Sequence, residues 1–335
     1  MNIVHKNFEE LFSLDNIFDA WWKFRRGKTN KVDVMNFELH LEDNLFSLYN
    51  DLKNDSYEHS SYKHFQVFDN KKRDIYKAEV RDRIVHQIIY DYLLSLYEPQ
   101  FISDSYASRI RKGQYKAIST FRYFLKLASS QYASCFVLKC DVRKYFDNID
   151  HGILLNLIRE KVVCEKTLTV IDKIISSYIS SGSNKGVPLG NITSQIFANI
   201  YLNTLDNYIK KELRCRFYIR YNDDIAIIPE SSEQLNQIRD KIIHFVKEKL
   251  CLEIPIEKTS IRKIDWGVDF LGFTLLPKAI LLRNKTKNKI YANICEKNIH
   301  SYFAILRHCN SHNLKAKILS AIDFESTSQS HLLDR

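Results

Sequence analysis

The chain has 335 residues, 45% of them hydrophobic, and Lys plus Arg outnumber Asp plus Glu by 50 to 40 for a net charge of +10. That length and apolar content exclude a disordered chain and fit two domains or one elaborated enzyme core. The basic balance favours polyanionic partners where the charge clusters, and otherwise only solubilises a surface. Seven cysteines, at positions 135, 140, 164, 215, 251, 295 and 309, form no C-x-x-C pair and are odd in number, which argues against a zinc site or a disulfide framework. Met1–Lys6 has no apolar leader core and no run reaches membrane-span length, so a soluble, cytoplasmic protein without a membrane partner is expected.

Residues 7–55 read as helices, with Phe8, Leu11, Phe12, Ile17, Phe18, Trp21 and Trp22 at three- and four-residue spacing. Lys23, Arg25, Arg26, Lys28 and Lys31 interrupt the pattern, as either a phosphate-contacting loop or a solvated helix junction. From Tyr62 to Tyr76 the pattern alternates around Asp69–Arg73, which predicts a hairpin with a basic tip. A helix follows from near Glu79, carrying Arg81 and Arg83 ahead of an apolar face of Ile84, Ile88, Ile89 and Tyr92. Lys71, Lys72, Arg73, Arg81 and Arg83 suit a triphosphate or a nucleic-acid backbone, because guanidinium groups bind phosphate oxygens bidentately and lysines act as point charges; a plain surface patch is the alternative. Arg111-Lys112-Gly113 forms another basic loop, before a helix from about Gln114 to Ser129.

Cys135–Cys140 is an apolar strand broken only by Lys139, and it runs into Asp141. Asp147 and Asp150 are read as caps of the helix carrying Ile153, Leu154 and Ile158. Gly186–Gln195 opens a long helix with two glycines and a proline, which lets backbone approach a ligand closely. Phe217–Ile228 is two apolar runs folded about Asn222-Asp223-Asp224, a hairpin whose tip is either an ordinary polar turn or a cation site. A helix from Glu233 to Leu250, the segment Glu253–Thr259, a glycine-spaced hairpin at Trp266–Phe273, a basic strand at Leu281–Lys285 and a helical stretch at Ile299–Ile318 complete the chain, ahead of a Ser/Thr-rich end expected to fray.

In this order the segments resemble the motif set of reverse transcriptases. Lys71, Lys72, Arg73, Arg81 and Arg83 match the fingers, Asp141–Phe146 the first palm motif, and Gly186–Gln195 the glycine-rich motif. Tyr221-Asn222-Asp223-Asp224 matches the Tyr-x-Asp-Asp box, Glu257-Lys258-Thr259 the next motif, and Phe270–Phe273 the primer-gripping hairpin. Arg81–His86, Phe101–Ala107, Lys139–Phe146 and above all Pro188–Gln195 are most similar to the enzymes of diversity-generating retroelements. Group II intron and retron enzymes have Gln-Gly and Ser-Pro where this chain has Leu189-Gly190 and Ser194-Gln195. Asn222 departs from the apolar residue common in the family.

The resemblance implies an α+β right-hand polymerase with fingers, palm and a short thumb, the palm an antiparallel sheet backed by helices. The expected partition is an N-terminal helical extension over 1–58, fingers over 59–135, palm over 136–274, and a short thumb and tail over 275–335. It implies an RNA-directed DNA polymerase using two Mg2+ ions, with Mn2+ able to substitute. Asp141, Asp223, Asp224 and the carbonyl of Val142 are the implied metal ligands, and Lys258 a general acid, with a surface lysine as the alternative. Lys72, Arg73, Arg81, Phe146, Leu189, Gly190 and Gln195 are implied at the nucleotide, Phe146 as a steric gate. Arg83, Tyr221, Asn222, Leu271 and Gly272 are implied at primer and template. Leu189 in place of a polar residue predicts low fidelity. Implied partners are template RNA, primer, cDNA product, dNTPs and a small basic accessory protein. The alternatives are a defence-associated, retron-like or group II intron-derived reverse transcriptase, and a catalytically silent RNA-binding relative.

Overall fold

The computed structural model describes residues 7–68, 72–132, 134–180, 184–295 and 298–318. The expected hairpin tip at 69–71, with Lys71, and the Ser/Thr-rich end lie outside the described residues. In chain order the elements are α1 (Phe8–Leu11), α2 (Leu14–Arg25), α3 (Val32–Glu38), α4 (Leu41–Lys53), β1 (Lys63–Phe68), β2 (Lys72–Lys77), α5 (Val80–Tyr97) and α6 (Gln114–Gln131). Then follow β3 (Phe136–Asp141), α7 (His151–Arg159), α8 (Glu165–Ser176), α9 (Ile192–Asn207), β4 (Phe217–Tyr221), β5 (Asp224–Ile228) and α10 (Gln234–Leu250). The last are β6 (Ser260–Lys263), β7 (Val268–Phe270), β8 (Phe273–Leu275), β9 (Ile280–Leu282), α11 (Asn284–Asn293) and α12 (Ile299–Leu306). The class is α+β with antiparallel strand pairs, as expected.

The chain weaves through two units, Met1–Ser103 with Asp141–Glu212 and Asp240–Ile256, and Asp104–Cys140 with Leu213–Arg239 and Glu257–Arg335. In the first unit α5 and α9 carry apolar side chains on most of their faces, among them Ile84, Val85, Ile88 and Ile89 on α5 and Ile196, Phe197, Ile200 and Tyr201 on α9. A helix of that kind is stable only when surrounded, and both are buried. β1 and β2 pair from Lys63 opposite Lys77 to Phe68 opposite Lys72. Asp150 caps α7, accepting from the Ile153 N–H at 3.1 Å. Asp147 does not cap it. It sits in a 3-10 turn at Tyr145–Asn148, too early to reach the orphan amides of a helix that starts at His151, and its carbonyl accepts the Ser180 hydroxyl at 2.6 Å.

The second unit holds a four-stranded sheet in the order β4-β5-β3-β6 and a three-stranded sheet in the order β7-β8-β9. A core of Ile118, Phe121, Val137, Ile219, Ala226, Phe270 and Phe273 lies between them and α6. Phe121 meets Phe270 edge-on at 5.0 Å. The basic strand expected through Lys285 stops at Leu282, because Arg283 is the N-cap residue from which α11 starts.

Candidate active site

The hairpin β4–β5 pairs Tyr221 with Asp224, which leaves Asn222 and Asp223 as a two-residue turn. Such turns need a positive φ at their first central residue, and Asn222 supplies it at 53°. Asparagine tolerates that region better than a branched apolar residue does, a local reason for this residue in the box. Asp224 opens β5, the neighbour of the strand that Asp141 closes, and all three aspartates are partly exposed. The Val142 side chain is buried.

Two cations from buried strands brace this turn. Arg220, only 1% exposed, donates from its guanidinium to the Asn222 carbonyl at 3.1 Å and to Ser105 Oγ at 3.4 Å. Its own N–H donates to the Asp104 carbonyl and its carbonyl accepts from Tyr106, both at 3.0 Å, so the segment Asp104–Tyr106 is a brace along β4. Lys139 Nζ lies 3.0 Å from Asp224 Oδ1 and donates to the Asp269 carbonyl at 2.9 Å. Burial raises the Tyr221 phenol above its ordinary pKa and pushes the Cys140 thiol, next to Asp141, up to about 12, leaving both neutral.

The first unit holds the residues expected at the nucleotide. The Tyr76 N–H donates to the Leu189 carbonyl at 2.9 Å, and Asn191 reaches the same strand through its Nδ2 to the Tyr76 carbonyl at 2.7 Å and its Oδ1 to the Ala78 N–H at 3.2 Å. The glycine-rich motif is therefore laced to β2. Gly190 has φ 113°, and a Cβ there would come within 2.7 Å of Ile75 Cγ2. Phe146 is tied to the same motif through its carbonyl, which accepts the Val187 N–H at 2.8 Å. Leu189 and Phe146 are partly exposed, and Gln195 is exposed on a helical turn whose neighbours Ser194 and Ile196 are buried.

The finger cations divide. Lys72 and Arg73 are exposed on β2. Arg81 instead pairs with Asp51 at 2.6 Å and lies over the Tyr57 ring, its side chain 28% exposed. Arg83, 13% exposed, pairs with Asp33 and lies over the Phe24 ring, and Lys77 joins the same carboxylate at 2.6 Å. Desolvation by burial, the largest single influence on the Asp33 carboxyl, raises its pKa, but the hydrogen bonds and charges of Lys77 and Arg83 outweigh it and hold the carboxyl below its usual value. Of the interrupting cluster, Arg25 pairs with Glu38 at 2.7 Å and Lys28 sits over the Phe24 ring.

Phe270 pairs with Phe273 across a two-residue turn in which both Leu271, φ 47°, and Gly272, φ 88°, are left-handed. Gln114 Nε2 donates to the Leu271 carbonyl at 2.9 Å and Thr286 Oγ1 to that of Gly272 at 3.1 Å, so the turn is held from two sides. Lys258 is exposed at the end of a 3-10 turn. Sequence reasoning left Lys139, Arg220, Asn191, Asp33 and Asp51 without roles. The first two had a usable signal, each being a lone charge inside an apolar strand, which is costly unless paired.

Among the described residues no group of three or more His, Cys, Asp or Glu stands in metal-ligating geometry. The donor chemistry nevertheless fits a hard divalent cation, since Asp223 and Asp224 are adjacent oxygen donors and Asp224 already holds an ammonium ion. No helix among the described residues is long and apolar enough to cross a membrane.

The family described as reverse transcriptase (RNA-dependent DNA polymerase) matches residues 61–275. Protein YkfC of Escherichia coli is 26% identical over 246 residues, covering 62% of this chain and 64% of its own length. The group II intron-encoded protein LtrA of Lactococcus lactis is 28% identical over 172 residues, covering 50% of this chain and 27% of its own length. The chain thus spans less than two thirds of either relative. Apo telomerase from Candida tropicalis is similar in fold, with a TM-score of 0.51 and 14% identity over 71% of this chain and 50% of that one. The family match takes in β1, the Asp141 strand, the glycine-rich motif, the Asp223 turn and the Leu271 turn, so the chain belongs to the reverse transcriptase family.

Proposed function

We propose that the chain is an RNA-directed DNA polymerase that extends a primer with dNTPs along an RNA template, at low fidelity, within a diversity-generating retroelement. The observation that carries this reading is the β4–β5 hairpin, with Asp223 in its turn and Asp224 heading the strand next to the one that ends in Asp141. Asp141, Asp223, Asp224 and the Val142 carbonyl would hold two Mg2+ ions, or Mn2+ in their place, which when bound acidify the primer 3′-hydroxyl and neutralise the departing pyrophosphate. Lys72 and Arg73, exposed on β2, bind the triphosphate. Arg81 joins them by exchanging Asp51 for a phosphate oxygen. Phe146 stacks beneath the sugar and excludes a 2′-hydroxyl, Gly190 and Gln195 line the base, and Lys258 protonates the pyrophosphate as it leaves. Tyr221, Asn222, Leu271 and Gly272 hold the primer end, and Arg83 lies on the template side.

The test is primer extension on an RNA template with a divalent cation, comparing wild type with Asp223→Asn. Incorporation should fall by about 100-fold or more, with RNA binding retained. If the wild-type chain binds RNA but incorporates no dNTP, a nucleic-acid-binding relative is the reading left.

A further inference from the structure

We propose that Lys139 is a resident counter-cation of the catalytic turn, which a divalent ion displaces from Asp224. The inference rests on the metal-binding role proposed above for Asp223 and Asp224.

A lysine in the middle of a strand has to be explained, since its side chain is only 22% exposed and Val137, Leu138 and Cys140 around it are all buried. Burial of an ammonium is costly unless it is paired and hydrogen-bonded, and Lys139 has two anchors. One is the Asp224 carboxylate at 3.0 Å, and the other is the Asp269 carbonyl at 2.9 Å. The two anchors differ in kind. The carbonyl belongs to β7, where Asp269 is paired with Thr274 of β8, and its position is set by the sheet. The Asp269 carboxylate is occupied elsewhere, accepting from the Thr274 hydroxyl at 2.7 Å and pairing with Arg283 at 3.0 Å. The ammonium therefore keeps a fixed dipole when it gives up the carboxylate. The Phe270 ring, 5.7 Å from Nζ, offers it a further weak attraction.

This arrangement lets the turn carry adjacent carboxylates before any metal arrives. Asp223 and Asp224 repel each other, and a positive charge on one lowers that repulsion. The same charge then opposes an incoming cation. Lys139 accordingly sets the metal affinity of the substrate-free protein below what the carboxylates alone would give.

The experiment is Mn2+ binding to the substrate-free protein, followed by loss of the free-ion electron paramagnetic resonance signal, with thermal melts on each variant. Lys139→Met and Lys139→Gln should bind Mn2+ about 3- to 10-fold more tightly than wild type, the weight of one like charge beside a partly exposed carboxylate. Lys139→Arg, which keeps the charge, should bind as wild type does. Equal or weaker binding by the uncharged variants, at unchanged melting temperature, overturns the inference and makes Lys139 a support for Asp224 instead. If Asp223→Asn binds Mn2+ as well as wild type does, the metal-binding reading itself fails and the inference fails with it.

Discussion

Leu189 shows how much a single side chain carries when its backbone is already committed. Its carbonyl is held by the Tyr76 N–H, so what the residue presents is a partly exposed isobutyl group. A polar side chain there would hydrogen-bond an incoming base or sugar and reject one that leaves it unpaired, whereas an apolar one discriminates weakly. Leu189→Gln should therefore lower the error rate several-fold, by about 1 kcal/mol of added discrimination, measured by sequencing cDNA copied from a defined RNA. An unchanged error spectrum would count against low fidelity arising from Leu189. Asn222 and Leu271 make a contrasting pair at the same scale. Both sit at positive φ in hairpin turns, where a residue with a Cβ is disfavoured by about 1–2 kcal/mol. Asparagine reduces that cost and leucine bears it, so the leucine tip of the second hairpin is kept for something other than stability.

At the scale of elements, the hairpin β1–β2 is fixed through the glycine-rich motif. β1 is exposed along its whole length and β2 over its first half, so its own packing does little to orient it. Among its fixed points, beside the Lys77–Asp33 pair, are the bonds from Tyr76 and Ala78 to Leu189 and Asn191, which require the chain to pass close to β2 at Gly190. Gly190→Ala would meet both an unfavourable φ and the Ile75 methyl, a cost of about 1–3 kcal/mol. The expected outcome is a raised KM for dNTP, together with lost hydrogen-exchange protection at the Tyr76 amide. Protection and KM both unchanged would show that the hairpin is oriented by other contacts. The N-terminal helices act on the same region, since Asp33 and Asp51 partner Arg83 and Arg81 of α5.

At the scale of the whole molecule, global stability carries a pH signature from His86, a buried histidine paired with the half-buried His59. His59 Nδ1 donates to the Ser60 carbonyl at 2.6 Å, so its Nε2 accepts from His86 Nε2 at 3.1 Å, and His86 Nδ1 accepts from the Thr193 hydroxyl at 3.2 Å. Desolvation by burial, then the neighbouring His59 and Arg83, hold the His86 pKa well below 6.5. The folded protein therefore binds this proton less readily than the unfolded chain does. Stability from this group is complete above pH 6.5 and is lost as pH falls below it, at up to about 1.4 kcal/mol per pH unit while His86 stays neutral. His86→Gln should flatten the fall in melting temperature between pH 7 and pH 5.5. Equal slopes in the two proteins would remove His86 as the cause.

Periodicity, turn residues and motif order determined by themselves that the chain alternates helices with antiparallel hairpins and that Asp141 ends a strand while Asp223 and Asp224 stand at the tip of a hairpin. These follow from local chemistry, because a two-residue turn or an apolar run needs no distant partner to be recognised. The fate of the charges was decided only by tertiary structure. Arg81 and Arg83 read as phosphate ligands, and only the fold sets Asp51 and Asp33, at least thirty residues earlier in the chain, beside them as partners. Asp147 read as a cap until the helix was seen to begin at His151. Lys139 read as an interruption of an apolar strand, and Arg220 had no reading of its own, until folding brought Asp224 and Asp269 to the one and Ser105 and the Asn222 carbonyl to the other. The physical reason is common to the four cations: a charge is placed by what compensates it, and compensation depends on which groups the fold brings together.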